Sequence, residues 1–113
     1  MLKENDINRL KLIIRHCDRV ADKIKNIFFE SFSNNQDLID VTCFNILQIG
    51  EIANGLSSEL IKTYSSIPWR QIIGLRNRIV HGYGSVNPTI VYNTASIDVK
   101  ELEENIMKII GDN

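Results

Sequence analysis

The chain has 113 residues, 43% of them hydrophobic and 24% charged, and its 13 Lys and Arg against 14 Asp and Glu leave it close to neutral. That composition fits one globular domain, residues 1–113, and argues against disorder and against bulk electrostatic attraction to nucleic acid. No apolar run is long enough to span a bilayer, and the charged start Met1-Leu2-Lys3-Glu4 lacks the apolar stretch of a secretion signal, so a cytoplasmic protein with no membrane partner is expected.

From the N-terminus, Ile7, Leu10, Ile14, Cys17, Ala21, Ile24 and Phe28 recur every three or four residues and predict a long amphipathic helix, broadened by Ile13, Val20 and Ile27 and capped by Asn5 or Asp6. Cys17, like Cys43 further on, reads as a reduced core thiol. His16 beside it does not make a metal pair, because neighbours on a helix point about 100° apart and no second ligand pair follows. Ser33-Asn34-Asn35-Gln36 reads as a loop. A second helix over residues 37–54 turns Val41, Phe44, Leu47, Ile49, Ile52 and Ala53 mostly inward, with Gly50 in its middle marking either close approach by another helix or a tolerated weak point. Ser57 or Ser58 caps a short helix around Glu59-Leu60-Ile61.

Pro68 opens the next helix, with Trp69, Ile72, Ile73, Leu75, Ile79 and Val80 inward and Gly82 and Gly84 closing it. Asn87-Pro88 repeats the cap-and-proline signal for a last helix whose Val91, Ala95, Val99, Leu102, Ile106 and Ile109 face the core up to Gly111. No segment alternates as a half-buried strand does. The predicted fold is all-α, an antiparallel bundle of four main helices plus one short helix.

The chemistry concentrates in Arg76-Asn77-Arg78-Ile79-Val80-His81-Gly82-Tyr83, where a permanent cation, a titratable imidazole and a phenol fall within eight residues. Arg offers a planar fork for phosphate oxygens, His exchanges a proton near neutral pH, and Tyr supplies a nucleophilic or hydrogen-bonding oxygen, with no metal or cofactor required. No acidic residue lies between Glu59 and Asp98, whereas Lys62, Arg70, Arg76 and Arg78 do, which forms a local basic island suited to a polyanion, or else a positively charged helix end that complements its own dipole. If the helix continued through the run, Arg76 and His81 would stand about 140° apart and Asn77 would share the face of His81, where it could hold the imidazole. One imidazole cannot serve as acid and base on opposite sides of a phosphodiester, but a two-fold homodimer would bring two.

Beyond this run, Phe44, Ile49-Gly50-Glu51-Ile52-Ala53, Leu56-Ser57, Ile67-Pro68-Trp69-Arg70 and Gly74-Leu75-Arg76-Asn77 follow in order, and the chain resembles the HepT-like branch of the HEPN superfamily, whose hallmark is Arg, four residues, His, one residue, Tyr. The resemblance implies a metal-independent ribonuclease toxin of a type VII-like toxin–antitoxin system, a homodimer with facing motifs. Arg76 and His81 would be catalytic, Asn77 supporting, and Arg70 and Arg78 would hold RNA. The implied partner is an MNT-type nucleotidyltransferase antitoxin that transfers adenylate from ATP to Tyr83. Against the pattern of relatives, Gly84 replaces an aromatic residue, Asn87 an acidic one and Tyr92 a Trp. The alternatives are a non-catalytic module that binds a nucleotide or a nucleotidyltransferase, and a purely structural helical dimerisation unit.

Overall fold

The computed structural model describes residues 2–80 and 85–113. Helices α1 (Glu4–Ile24), α2 (Phe29–Ser33), α3 (Gln36–Ala53), α4 (Ser58–Thr63), α5 (Trp69–Ile73) and α6 (Leu75–Ile79) precede a final rod built of α7 (Pro88–Asn93), a wide π turn (Thr94–Asp98) and α8 (Val99–Gly111). Among the described residues there is no strand, only an isolated antiparallel bridge between Val80 and Val86. The four main rods are thus α1, α3, the pair α5 and α6, and α7 with α8. The short α4 falls where the sequence places it, and α2 is an addition.

Helix α3 is the hub, packed on α1, α2, α5, α6 and α7, while α1 is also covered by α8. Nine of its residues are buried, among them Ile39, Ile46, Ile49, Ile52 and Ala53. Gly50 is buried because a Cβ there would lie 3.0 Å from the Ile72 carbonyl oxygen, so the backbones of α3 and α5 meet at the predicted place. Phe44 is 55% exposed, contrary to the inward position predicted for it, because it lies on the one stripe of α3 left uncovered, with Asp40 and Glu51.

The inner stripe of α1 also differs from prediction. Leu10, Ile13, Cys17 and Val20 are fully buried, whereas Ile7 and Ile14 are half-buried and Ala21 and Phe28 exposed. Two polar residues that apolar counting ignores, Asp6 and His16, occupy the buried face and shift it. Helix α1 is uncapped by side chains at Lys3, and Asp6, instead of capping it, accepts hydrogen bonds from Ser57 N–H at 3.0 Å and Ser57 Oγ–H at 2.5 Å. Ser57 in turn caps α4 by accepting from Leu60 N–H. The helix stops at Ile24, four residues before Phe28, because Asn26 takes a left-handed φ of 59°, which Asn tolerates better than most residues. Asn35 caps α3 and narrows the predicted loop, since Ser33 and Gln36 are helical.

His16 Nδ1–H donates to Asn45 Oδ1 at 2.8 Å, and the Asn45 amide donates onward to the Val41 carbonyl. This buried polar pair ties α1 to α3 and fixes which ring nitrogen carries the proton, since only a donor can meet that oxygen. Cys17 and Cys43 are free buried thiols, as the sequence suggests; burial, then Glu103 and Asp18, pushes the Cys17 thiol up to about 12, and burial followed by Asp40 raises Cys43. No described helix is long and apolar enough to cross a membrane.

Candidate functional site at the end of α6

The predicted fourth helix is interrupted. Gly74 leaves the helical region at φ −85°, ψ 7°, and divides α5 from α6. The segment is held at its start by Trp69, whose indole N–H donates to the Tyr64 carbonyl, and along its length by the buried side chains of Ile72, Leu75 and Ile79. Arg70 is exposed on the first turn of α5, and Arg76, Asn77 and Arg78 are exposed on α6.

The helix ends sooner than predicted. Val80 is already extended, at φ −93°, ψ 120°, and pairs with Val86 across the antiparallel bridge, while Asn87 N–H reaches back to the Ile79 carbonyl at 3.5 Å. The β-branched pair Ile79-Val80, followed by Gly82, favours this exit from helix. His81, Gly82, Tyr83 and Gly84 lie outside the described residues, and the roles read for His81 and Tyr83 lie with them. The flanks are well defined. Asn87 caps α7 by accepting from Thr89 N–H and Ile90 N–H, a role that an acidic residue at this position would fill equally well. Tyr92 Oη–H donates to the Ile27 carbonyl at 2.6 Å and its ring packs against Phe29 and Phe32, so this residue anchors α7 to the segment leaving α1.

The two arginines of α6 have different surroundings. Residues two apart on a helix point about 200° apart. Arg78 turns toward the final rod, where its guanidinium pairs with Asp98 at 3.4 Å, both side chains about half exposed. Arg76 faces the other way, exposed and without an ion pair or hydrogen bond to its side chain among the described residues. Its donor fork is therefore open for an anion. Arg70 is likewise exposed and unpaired among the described residues. No group of three or more His, Cys, Asp or Glu among the described residues is placed to hold a metal ion.

Asp98 reaches Arg78 because of the π turn. Counting along a regular α-helix from Val91 through Ala95, the next inward place falls on Asp98, seven residues and nearly two full turns after Val91. The wide turn gives that place to Val99, which is buried, and leaves Asp98 outward. Apolar periodicity placed Val99 inward correctly but carries no sign of the wide turn, so Asp98 was missed.

A profile of the ribonuclease HepT-like family matches residues 13–109. The chain belongs to this family, a branch of the HEPN superfamily. The HepT-like match spans the α1 stripe from Ile13 onward, the α3 hub, the basic run and most of the last rod. Three relatives match over most of both chains. "Putative RNase TTE0752" of Caldanaerobacter subterraneus subsp. tengcongensis is 30% identical over 101 residues, covering 89% of this chain and 90% of its own. "Putative RNase MJ1216" of Methanocaldococcus jannaschii is 28% identical over 102 residues, 88% and 83% of the two chains. "Probable ribonuclease HepT" of Thermococcus cleftensis is 20% identical over 108 residues, 96% and 98% of the two. No solved structure matches.

Proposed function

We propose that this HepT-like protein is a metal-independent endoribonuclease and the toxin of a type VII-like toxin–antitoxin pair. The observation that carries the reading is an exposed Arg76 at the end of α6, without an ion pair or hydrogen bond to its side chain among the described residues, within a family match that includes the whole Arg76, His81, Tyr83 run.

In the proposed reaction two copies of the chain share one cleft. A neutral His81 takes the proton of an RNA 2′-hydroxyl as its oxygen attacks the adjacent phosphorus, and the protonated His81 of the second copy gives a proton to the departing 5′-oxygen. The products are a 2′,3′-cyclic phosphate and a 5′-hydroxyl, and the pair of imidazoles ends with its protonation states exchanged. Arg76 stabilises the charge that builds on the phosphorane-like transition state, an interaction typically worth several kcal/mol. Asn77 supports the site, Arg70 holds a flanking phosphate, and Arg78 holds the RNA beside it. Tyr83 is the switch: its oxygen attacks the α-phosphorus of ATP on an MNT-type nucleotidyltransferase, pyrophosphate leaves, and the attached adenylate brings charge and bulk that exclude RNA.

The test is cleavage of RNA by the purified protein in the presence of chelator. Cyclic-phosphate ends are expected, and His81→Ala should lower kcat by ~10²-fold or more, the usual worth of general acid–base catalysis. Undiminished cutting by that variant overturns the catalytic assignment. Incubation with an MNT-type partner and ATP should add adenylate to the wild type and none to Tyr83→Phe, as read by mass spectrometry.

A further inference from the structure

A groove of about 290 Å³ runs between α5 and α6 on one side and the π turn and α8 on the other. Its floor is apolar, built by Ile49, Ile72, Leu75 and Leu102, and its rim is polar. Gln71 and Arg78 stand on one wall; Asp98, Glu101 and Asn105 stand on the other. The last three fall at i, i+3 and i+7, so they share one helical face, and Asp98 is there because of the π turn. The volume lies at the small end of ligand sites, which span roughly 300–1,000 Å³, and suits a single planar ring system better than a peptide.

We propose that this groove receives one base of the RNA, and that the base it selects is guanine. The proposal rests on the nuclease reading above and names its substrate preference. Two carboxylates on the rim repel a phosphate but accept hydrogen bonds, so the groove suits a neutral ring that presents donors. Guanine carries two adjacent donors, N1–H and the N2 amino group, which one carboxylate can accept together; adenine, cytosine and uracil do not offer that pair. On its other edge guanine presents O6 and N7, the acceptors that an Arg fork reads. Arg78 supplies that fork, and Gln71 and Asn105 supply amides able to meet either edge.

Position is compatible with the same occupant. Arg78 and Arg76 project from opposite sides of the short α6, so a base seated in the groove lies about one helix diameter, ~10–12 Å, from the open guanidinium. The Arg78–Asp98 pair is half exposed, and such pairs contribute only about 0–1 kcal/mol, so a base that bonds to both partners displaces little. Single-stranded RNA is read in this manner, with unstacked bases seated on a surface and bonded along their edges.

The experiment is titration of isotopically labelled protein with each of the four nucleoside 5′-monophosphates, followed through the side-chain amide signals of Gln71 and Asn105. GMP should shift both and bind about tenfold more tightly than AMP, CMP or UMP, the discrimination a bidentate base contact gives. Glu101→Gln and Asn105→Leu lie on the exposed or half-buried side of α8, and each should reduce that preference while circular dichroism stays unchanged. A short RNA with a single guanosine, bound to the His81→Ala protein, should shift the same amides, and replacing its guanosine by adenosine should weaken binding; a response to GMP but not to this RNA overturns the assignment to RNA. Silence of both amides, or equal affinity for all four nucleotides, overturns the groove itself. Guanine binding by a protein that cuts no RNA leaves the groove standing and removes the nuclease reading.

Discussion

Asp6 and Ser57, fifty-one positions apart, are joined by two hydrogen bonds in which the carboxylate accepts from the backbone N–H and the hydroxyl of the serine. The first turn of α1 is thereby locked to the start of α4. Hydrogen bonds to a charged group contribute about 1.5–3 kcal/mol each, and truncation would leave the Ser57 N–H without its partner. Asp6→Ala should therefore lower unfolding free energy by ~2–3 kcal/mol in a urea titration, and Ser57→Ala should destabilise as well, because the hydroxyl bond to Asp6 and the cap on Leu60 N–H are lost while the backbone bond survives.

Gly50 tests the contact between α3 and α5. Alanine would gain about 1 kcal/mol of helix propensity, but its methyl would sit 3.0 Å from the Ile72 carbonyl, and overpacking typically costs about 1–3 kcal/mol. The net expectation for Gly50→Ala is a small loss of stability, with Gly50→Val clearly worse. Because α5 leads into α6, the displacement should also alter the chemical shifts of Arg76 and Arg78 relative to the rest of the chain.

The two arginines of α6 should separate kinetically in the RNA-cleavage assay. Arg76 is open and aimed away from the groove, so Arg76→Ala should depress kcat by ~10²-fold, and Arg76→Lys should recover little because an ammonium lacks the planar fork. Arg78 is engaged with Asp98, and Arg78→Ala should raise KM while leaving kcat within about tenfold. A kcat loss for Arg78→Ala as large as that for Arg76→Ala would mean that the roles are wrongly divided.

Glu103 on α8 predicts a pH dependence. Burial first, then a hydrogen bond and the charge of Asp18, then Glu104, raise its carboxyl to about 7. The folded state consequently holds a proton that the unfolded chain releases near the ordinary value of 4.5, so folding binds protons between these limits and stability falls as pH rises from about 4.5 to 7. Glu103→Gln keeps a hydrogen-bonding group without the charge. Its stability profile should be flatter over that window and lie above the wild type at pH 8, as measured by thermal melting at a series of pH values.

Sequence patterning captured the large features for reasons the structure makes plain. Leu10, Ile46, Leu102 and Ile106 are buried on helices whose apolar spacing is strong, Asn87 and Ser57 cap where capping chemistry places them, and Gly50 marks a real backbone approach. What patterning missed is tertiary. Asp6 and His16 are buried because Ser57 and Asn45 meet them from distant parts of the chain, and no local count registers that. The break at Gly74 and the extended Val80 arise where helix propensity is weak and neighbouring packing decides. Within the site, the cation types and their proximity were legible at Arg76 and Arg78, but their divergence was not, because it depends on Asp98 emerging from a turn that periodicity cannot see.

That wide turn also makes the last rod a joint between two registers. Its front half, Pro88–Asn93, packs on α2, α3 and α6, and its back half, Val99–Gly111, packs on α1. Winding Thr94–Asp98 as an ordinary helix, with no residue removed, would swing the two halves by about 100° relative to each other. Either Val91 or the row Leu102, Ile106 and Ile109 would then leave the core, and the acidic wall of the groove would part from Arg78. One supernumerary residue thus reconciles the packing of the bundle with the shape of its proposed base-binding cleft.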